Sequence, residues 1–153
     1  MKQATLCFVI KDNKILLGKK KIGFGKNKYN GFGGKIKENE TPEQAAIREL
    51  SEESSIKANS LTKVGEISYT FPNKKEFDHF VHIFLVNSYS GNEIETEEMS
   101  PKWFNLNEIP FNEMWDNDKY WVPLILNSKK IKANIIQDET KTIKKEIKII
   151  DFF

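Results

Sequence analysis

The sequence predicts an α+β fold, an α/β/α sandwich on a mixed β-sheet. Three observations carry that prediction: β-leaning apolar runs come in pairs around turn residues, a strongly capped helix follows a glycine-rich loop, and a second helical spacing lies near residues 117–130. At 153 residues the chain has the length of one compact domain and is read as a single domain over 1–153.

Thr5–Lys11 and Lys14–Lys19 are apolar runs separated by Asp12-Asn13, a hairpin composition. The stretch 22–35 holds Gly23, Gly25, Gly31, Gly33 and Gly34, five of the eight glycines, so something is expected to approach this backbone closely. Thr41-Pro42-Glu43-Gln44 combines an N-cap hydroxyl, proline at the first helical position and glutamine at the capping-box position, which starts a helix running to about Ser54. Leu61–Phe71 and Phe77–Ser88 form a second hairpin around Pro72–Lys75, and Trp103–Leu106 is a short strand. The second helix is expected over Asp116–Lys130, with Pro123 disturbing its first part. Ile131–Gln137 and Thr142–Ile150 close the chain as a lysine-rich hairpin.

Composition removes several function classes. The 24 basic and 22 acidic residues leave only +2, too small an excess for a protein that lives on nucleic acid. No apolar run reaches the roughly 18 residues of a membrane span, so no membrane partner is expected and the location is read as cytoplasmic. The single cysteine, Cys7, sits in an apolar run and reads as a core thiol. Arg48 is the only arginine, which marks a place for a planar, bidentate fork.

Within the first helix Glu49, Glu52 and Glu53 lie at i, i+3 and i+4, so their carboxylates share a face, read as an exposed one. A solvated acidic face is the ordinary explanation. Against it, the acids sit late in the helix, where the macrodipole favours cations, and they follow a glycine-rich loop. A bound divalent cation would offset both penalties, and hard oxygen ligands suit magnesium, with manganese as the alternative.

Gly34, Glu40, Arg48, Glu49, Leu50, Glu52, Glu53 and Ile56 reproduce the spacing Gly-x5-Glu-x7-Arg-Glu-apolar-x-Glu-Glu-x-Gly-apolar, with Ser55 in place of the last glycine. This pattern resembles the Nudix box. The resemblance implies a Nudix fold and metal-dependent hydrolysis of a nucleoside diphosphate linked to another group. It implies that Glu49, Glu52, Glu53 and the Gly33 carbonyl bind metal, that Arg48 orients a neighbouring glutamate, and that Glu53 is the general base. Glu98, in the acidic run Glu93, Glu95, Glu97, Glu98, competes as base or further ligand. If position 55 is left-handed, its serine costs about 1 kcal/mol relative to glycine.

Segments across the whole chain, among them Gly23-Phe24-Gly25, Asn30–Lys35, Glu98-Met99, Trp103-Phe104 and Met114-Trp115, are similar to the Nudix branch that hydrolyses oxidised purine nucleoside triphosphates. That likeness implies a base pocket with Asn30 on the base edge, Trp115 as the stacking indole, and Asn117 and Asp118 as an edge-reading pair beside Asp116. It also places Thr5, Lys20, Phe24, Phe32, Gly33, Gly34, Lys35 and Tyr69 at the pocket. Asn117 stands where that branch has an aspartate and can change hydrogen-bond pattern only by flipping its amide, so a narrower base range or a changed pH dependence is expected, with oxidised guanine nucleotides favoured over 2-hydroxy-dATP. The implied partner is a small nucleoside triphosphate acted on by a monomer. A Nudix hydrolase of ADP-ribose or of a dinucleoside polyphosphate, and a catalytically silent nucleotide-binding module, are the competing readings.

Overall fold

The structure, a computed structural model, describes residues 1–153 and contains eight strands and two α-helices. In chain order they are β1 (Lys2–Lys11), β2 (Lys14–Lys20), β3 (Tyr29–Asn30), α1 (Pro42–Ser54), β4 (Lys57–Thr70), β5 (His79–Ser90), β6 (Met99–Asn105), α2 (Asp118–Leu126), β7 (Lys130–Gln137) and β8 (Thr142–Ile150). The sheet runs β3-β2-β1-β5-β4-β7-β8, with β6 also on β2. It is mixed: β1 with β5 and β4 with β7 are parallel, and the other pairs are antiparallel. No helix is long and apolar enough to cross a membrane.

The Asp12-Asn13 turn closes β1 onto β2 with Lys11 opposite Lys14 and positive φ at both turn residues, 51° and 61°, as a two-residue type I′ hairpin requires. β1 then splays. Its second half pairs with β2, while at its first half the glycine-rich loop takes over through bridges at Ala4–Lys35 and Cys7–Phe32. A cleft opens at this divergence.

Alternation along the central strands makes two cores. Cys7, Val9 and Leu16 face α1 with Ala46, Leu50 and Ile56, whereas Phe8, Ile15 and Leu17 face α2 with Trp121, Val122 and Ile125. Both faces of the sheet are therefore covered, which is the α/β/α sandwich.

Helix α1 starts as its sequence demands. Thr41 Oγ1 accepts from the Gln44 N–H at 3.1 Å, and Gln44 Oε1 accepts from the Thr41 N–H at 2.9 Å, a reciprocal capping box. It ends at Ser55, which is left-handed with φ 67°. Helix α2 corrects the expectation of 117–130. It is regular over Asp118–Leu126 with Pro123 inside, and it stops where Ser128 turns left-handed at φ 65° and the Lys129 N–H caps the Leu124 carbonyl. Lys130 consequently belongs to β7. Phe77, expected in a strand, sits in a single 3₁₀ turn over Lys75–Phe77, braced by the Phe71 N–H donating to Asp78 Oδ1 at 2.7 Å.

Candidate active site

The carboxylates of α1 are organised by the lone arginine. Arg48 forks onto Glu40 with Nε at 2.6 Å and Nη2 at 2.9 Å, and reaches Glu49 at 2.8 Å, Glu52 at 3.3 Å and the Lys35 carbonyl at 3.1 Å. The guanidinium holds Glu40 well below the usual carboxylate range, at about 2. A lysine could not span these partners, because its three donors radiate from one atom. Arg48 thus fastens the glycine-rich loop and two helix glutamates together.

Glu53 departs from its expected place on an exposed face. It is only 6% exposed, and its Oε1 accepts the Gly33 N–H at 2.9 Å. Burial pushes its carboxyl up to about 8. The Gly33 amide and the Lys20 charge oppose that rise, and the neighbouring Glu49 and Glu98 charges add to it. Glu98 is exposed on the loop before β6. That loop is pinned beside the helix by Thr96 Oγ1 donating to the Glu53 carbonyl at 3.2 Å and by Lys21, which donates to the Thr96 carbonyl at 2.8 Å. The clasp is made of residues that no spacing singled out.

Two glycines allow the loop to approach. A Cβ on Gly33 would lie 1.8 Å from the Thr5 carbonyl oxygen, and one on Gly34 would lie 2.7 Å from the Glu49 carboxylate. Neither position accepts a side chain without moving backbone or carboxylate.

No three carboxylates converge on one point in this conformation, since Arg48 holds Glu49 and Glu52 and Gly33 holds Glu53. The donor set still suits a hard divalent cation. It consists of oxygens only, and it keeps Glu53 buried among like charges.

Between this helix face and α2 lies a cavity of about 470 Å³, large enough for a nucleoside. Thr5, Lys20, Phe24, Asn30, Gly33, Gly34, Lys35, Tyr69, Trp115, Asn117 and Asp118 all line it, together with Glu53 at the α1 end. Two expected residues do not. Phe32 is fully buried in the α1-side core, since its backbone pairs with Cys7 and its ring turns away from the cleft. Asp116 is turned outward, where Oδ1 accepts from Lys119 and Oδ2 from the Thr142 N–H at 2.8 Å.

One wall is aromatic. Phe24 stacks on Phe77 at 4.0 Å and lies 5.0 Å from Trp115, with Phe71 edge-on at 5.6 Å, and the Lys28 ammonium sits 5.0 Å over the Trp115 ring. The opposite wall is polar and buried. Asn117 Oδ1 accepts from Tyr69 Oη and from Trp121 Nε1, both at 2.8 Å, and Asn117 Nδ2 donates to Gln137 Oε1 at 3.0 Å. Asp118 Oδ2 and Thr5 Oγ1 are buried with no partner. Burial pushes the Asp118 carboxyl up to about 8, opposed by the Trp115 main chain and Lys28. Orphaned polar atoms on a cavity wall suit a polar ligand that supplies the missing hydrogen bonds. Phe71, Phe77, Lys28 and Gln137 were not anticipated, because each acts through a neighbour distant in sequence.

The NUDIX domain model matches residues 1–125. Over 150 residues the chain is 43% identical to the oxidized purine nucleoside triphosphate hydrolase of Mus musculus, covering 97% of this chain and 96% of that protein. It is 46% identical over 129 residues to the protein of the same name in Danio rerio, covering 84% and 82%. A MutT protein from Bacillus halodurans superposes with a TM-score of 0.86 over 96% of this chain and 97% of its own, at 18% identity, a likeness of fold. The glutamate helix behind its glycine-rich loop, the sandwich that carries both, and these matches together place the chain in the Nudix family.

Proposed function

We propose that this Nudix protein hydrolyses oxidised purine nucleoside triphosphates, of the 8-oxo-dGTP class, to the monophosphate and pyrophosphate. The observation that carries the reading is one continuous cavity, with an aromatic wall and unpartnered polar atoms at one end and the buried Glu53 at the other. The names of the mouse and zebrafish relatives support the same substrate class.

In this reading Glu49, Glu52, Glu53 and Glu98, with the Gly33 carbonyl, hold a divalent cation, which we take to be magnesium, with manganese as a substitute. When bound, that cation neutralises phosphate oxygens and makes water a better nucleophile. Glu53, held against the glycine-rich loop by the Gly33 amide, takes the proton of the attacking water. Arg48 keeps Glu49 and Glu52 oriented, while Lys20 and Lys35 bring ammonium groups to the triphosphate. Trp115 and Phe24 receive the base, with Asn30, Asn117 and Asp118 on its edge.

A hydrolysis panel tests this reading: oxidised and normal nucleoside triphosphates, ADP-ribose and diadenosine polyphosphates, with magnesium present or chelated. The expected result is magnesium-dependent release of pyrophosphate, fastest from an oxidised purine. Faster turnover of ADP-ribose or a dinucleoside polyphosphate would overturn the substrate class, and no turnover of any would overturn the enzyme reading.

A further inference from the structure

The hydrogen bonds around Asn117 all run in one direction. Its Oδ1 receives the Tyr69 hydroxyl and the Trp121 indole N–H, and an indole N–H can only donate. Its Nδ2 donates to Gln137 Oε1. Gln137 is itself fixed, because its Nε2 donates to the Asp138 carbonyl at 2.8 Å while its Oε1 also accepts Thr142 Oγ1 at 3.2 Å. Flipping the Asn117 amide would set its NH₂ against the indole N–H and its oxygen against Gln137 Oε1. The flip that the sequence left open is therefore barred, and Asn117 has only its second N–H left for the cavity that it lines.

Beside it, the unpartnered Asp118 Oδ2 is an acceptor whenever the carboxyl is ionised or carries its proton on Oδ1. A 6-oxo purine carries an acceptor at O6 and a donor at N1, which complements donor Asn117 and acceptor Asp118. A 6-amino purine carries a donor at N6 and an acceptor at N1, the reverse order. We propose that this network makes Asn117 a permanent donor and restricts the cavity to 6-oxo purines, with Gln137 as a positioning residue for that choice.

The proposal rests on the nucleotide reading above, but it is tested by binding, so hydrolysis is not needed. Calorimetric titration compares the monophosphates of 8-oxo-deoxyinosine and 8-oxo-deoxyadenosine, which differ in the 6-substituent and the N1 proton. Wild type should favour the 6-oxo ligand by at least about tenfold, because a mismatched edge leaves buried polar groups unpaired. Asn117→Asp puts a lone pair where the N–H was, whether or not it is protonated towards Gln137, and should bring the ratio to unity or below. Gln137→Met frees one side of the amide and should shrink the ratio several-fold. A merely structural role would weaken both ligands alike and leave the ratio unmoved.

A wild-type ratio within twofold overturns the proposal, as does an unchanged ratio in Asn117→Asp. An unchanged ratio in Gln137→Met removes that residue from it. Should Asn117→Asp not fold, the wild-type ratio and Gln137→Met still decide. Selective binding without hydrolysis of any triphosphate would refute the proposed reaction and leave this inference standing.

Discussion

Around α1, Glu40, Glu49 and Glu52 crowd about one guanidinium, and these contacts are between formal charges. Around the base cavity, Tyr69, Trp121, Asn117 and Gln137 are joined by neutral hydrogen bonds in a buried wall, and Asp118 is the one acid beside them. Charged contacts tolerate reorientation, since Arg48 can release a glutamate to a cation and keep its other partners. Neutral contacts in a buried wall are directional, and exchanging donor for acceptor at one atom upsets the rest. The first end is built to exchange partners and the second to refuse them.

The largest effect should come from Glu53→Gln, expected to lower kcat by about a thousandfold or more while the base cavity keeps its affinity. Turnover within tenfold of wild type at saturating magnesium would remove Glu53 from the chemistry. Chelating the divalent cation should separate the two ends in the same way, abolishing hydrolysis and leaving nucleoside binding within a few-fold in calorimetry. Trp115→Ala should act at the other end, raising KM for oxidised purines by roughly 5- to 150-fold, the equivalent of about 1–3 kcal/mol of stacking, with kcat less affected. If the variant loses melting temperature and keeps KM, Trp115 only packs.

Asp118 makes the cavity end sensitive to pH. Its carboxyl rises from an ordinary 3.8 to about 8 on folding, because burial disfavours the charge. Between those values the unfolded chain has released a proton that the folded chain keeps, so Asp118's contribution is complete below about pH 4 and is lost as pH climbs to about 8. Asp118→Asn should therefore gain stability over wild type across that interval and level off above it. Parallel melting-temperature curves for the two proteins from pH 4 to 9 would contradict this. The smallest effect belongs to Ser55→Gly, which relieves a left-handed serine and should stabilise by about 1 kcal/mol in urea denaturation with kinetics unchanged.

The α1 end was legible in the sequence because its parts are local. Capping box, proline and three glutamates fall within 13 residues, and helical spacing alone puts the acids together. What the acid spacing alone could not show is depth: Glu53 continues the buried stripe of Ala46 and Leu50 and turns to the Gly33 amide, whereas Glu52 lies on the exposed side of the helix. The cavity end depends on register between distant strands. β7 pairs with β4 so that Tyr69 lies opposite Ile135, two residues before Gln137, and α2 delivers Asn117 between them. Asn117 directly precedes α2 but makes no capping bond, because its side chain turns inward to Tyr69, Trp121 and Gln137. Asp116 and Phe32 were misplaced for a related reason, since a motif names neighbours without saying which way each one faces.

Strand β1 has a part in both cores, with Phe8 against Trp121 on one side and Cys7 and Val9 under α1 on the other. It is a party wall between the two halves. Its amides paired with β5, over Lys2–Val9, can exchange with solvent only when both cores let go. Deuterium uptake there should report the loss of the whole fold, so a cavity cut on the α2 side, such as Ile125→Val, should speed exchange beneath α1 as well as beside itself. The halves that divide the chemistry between them would in that case melt as a single cooperative unit.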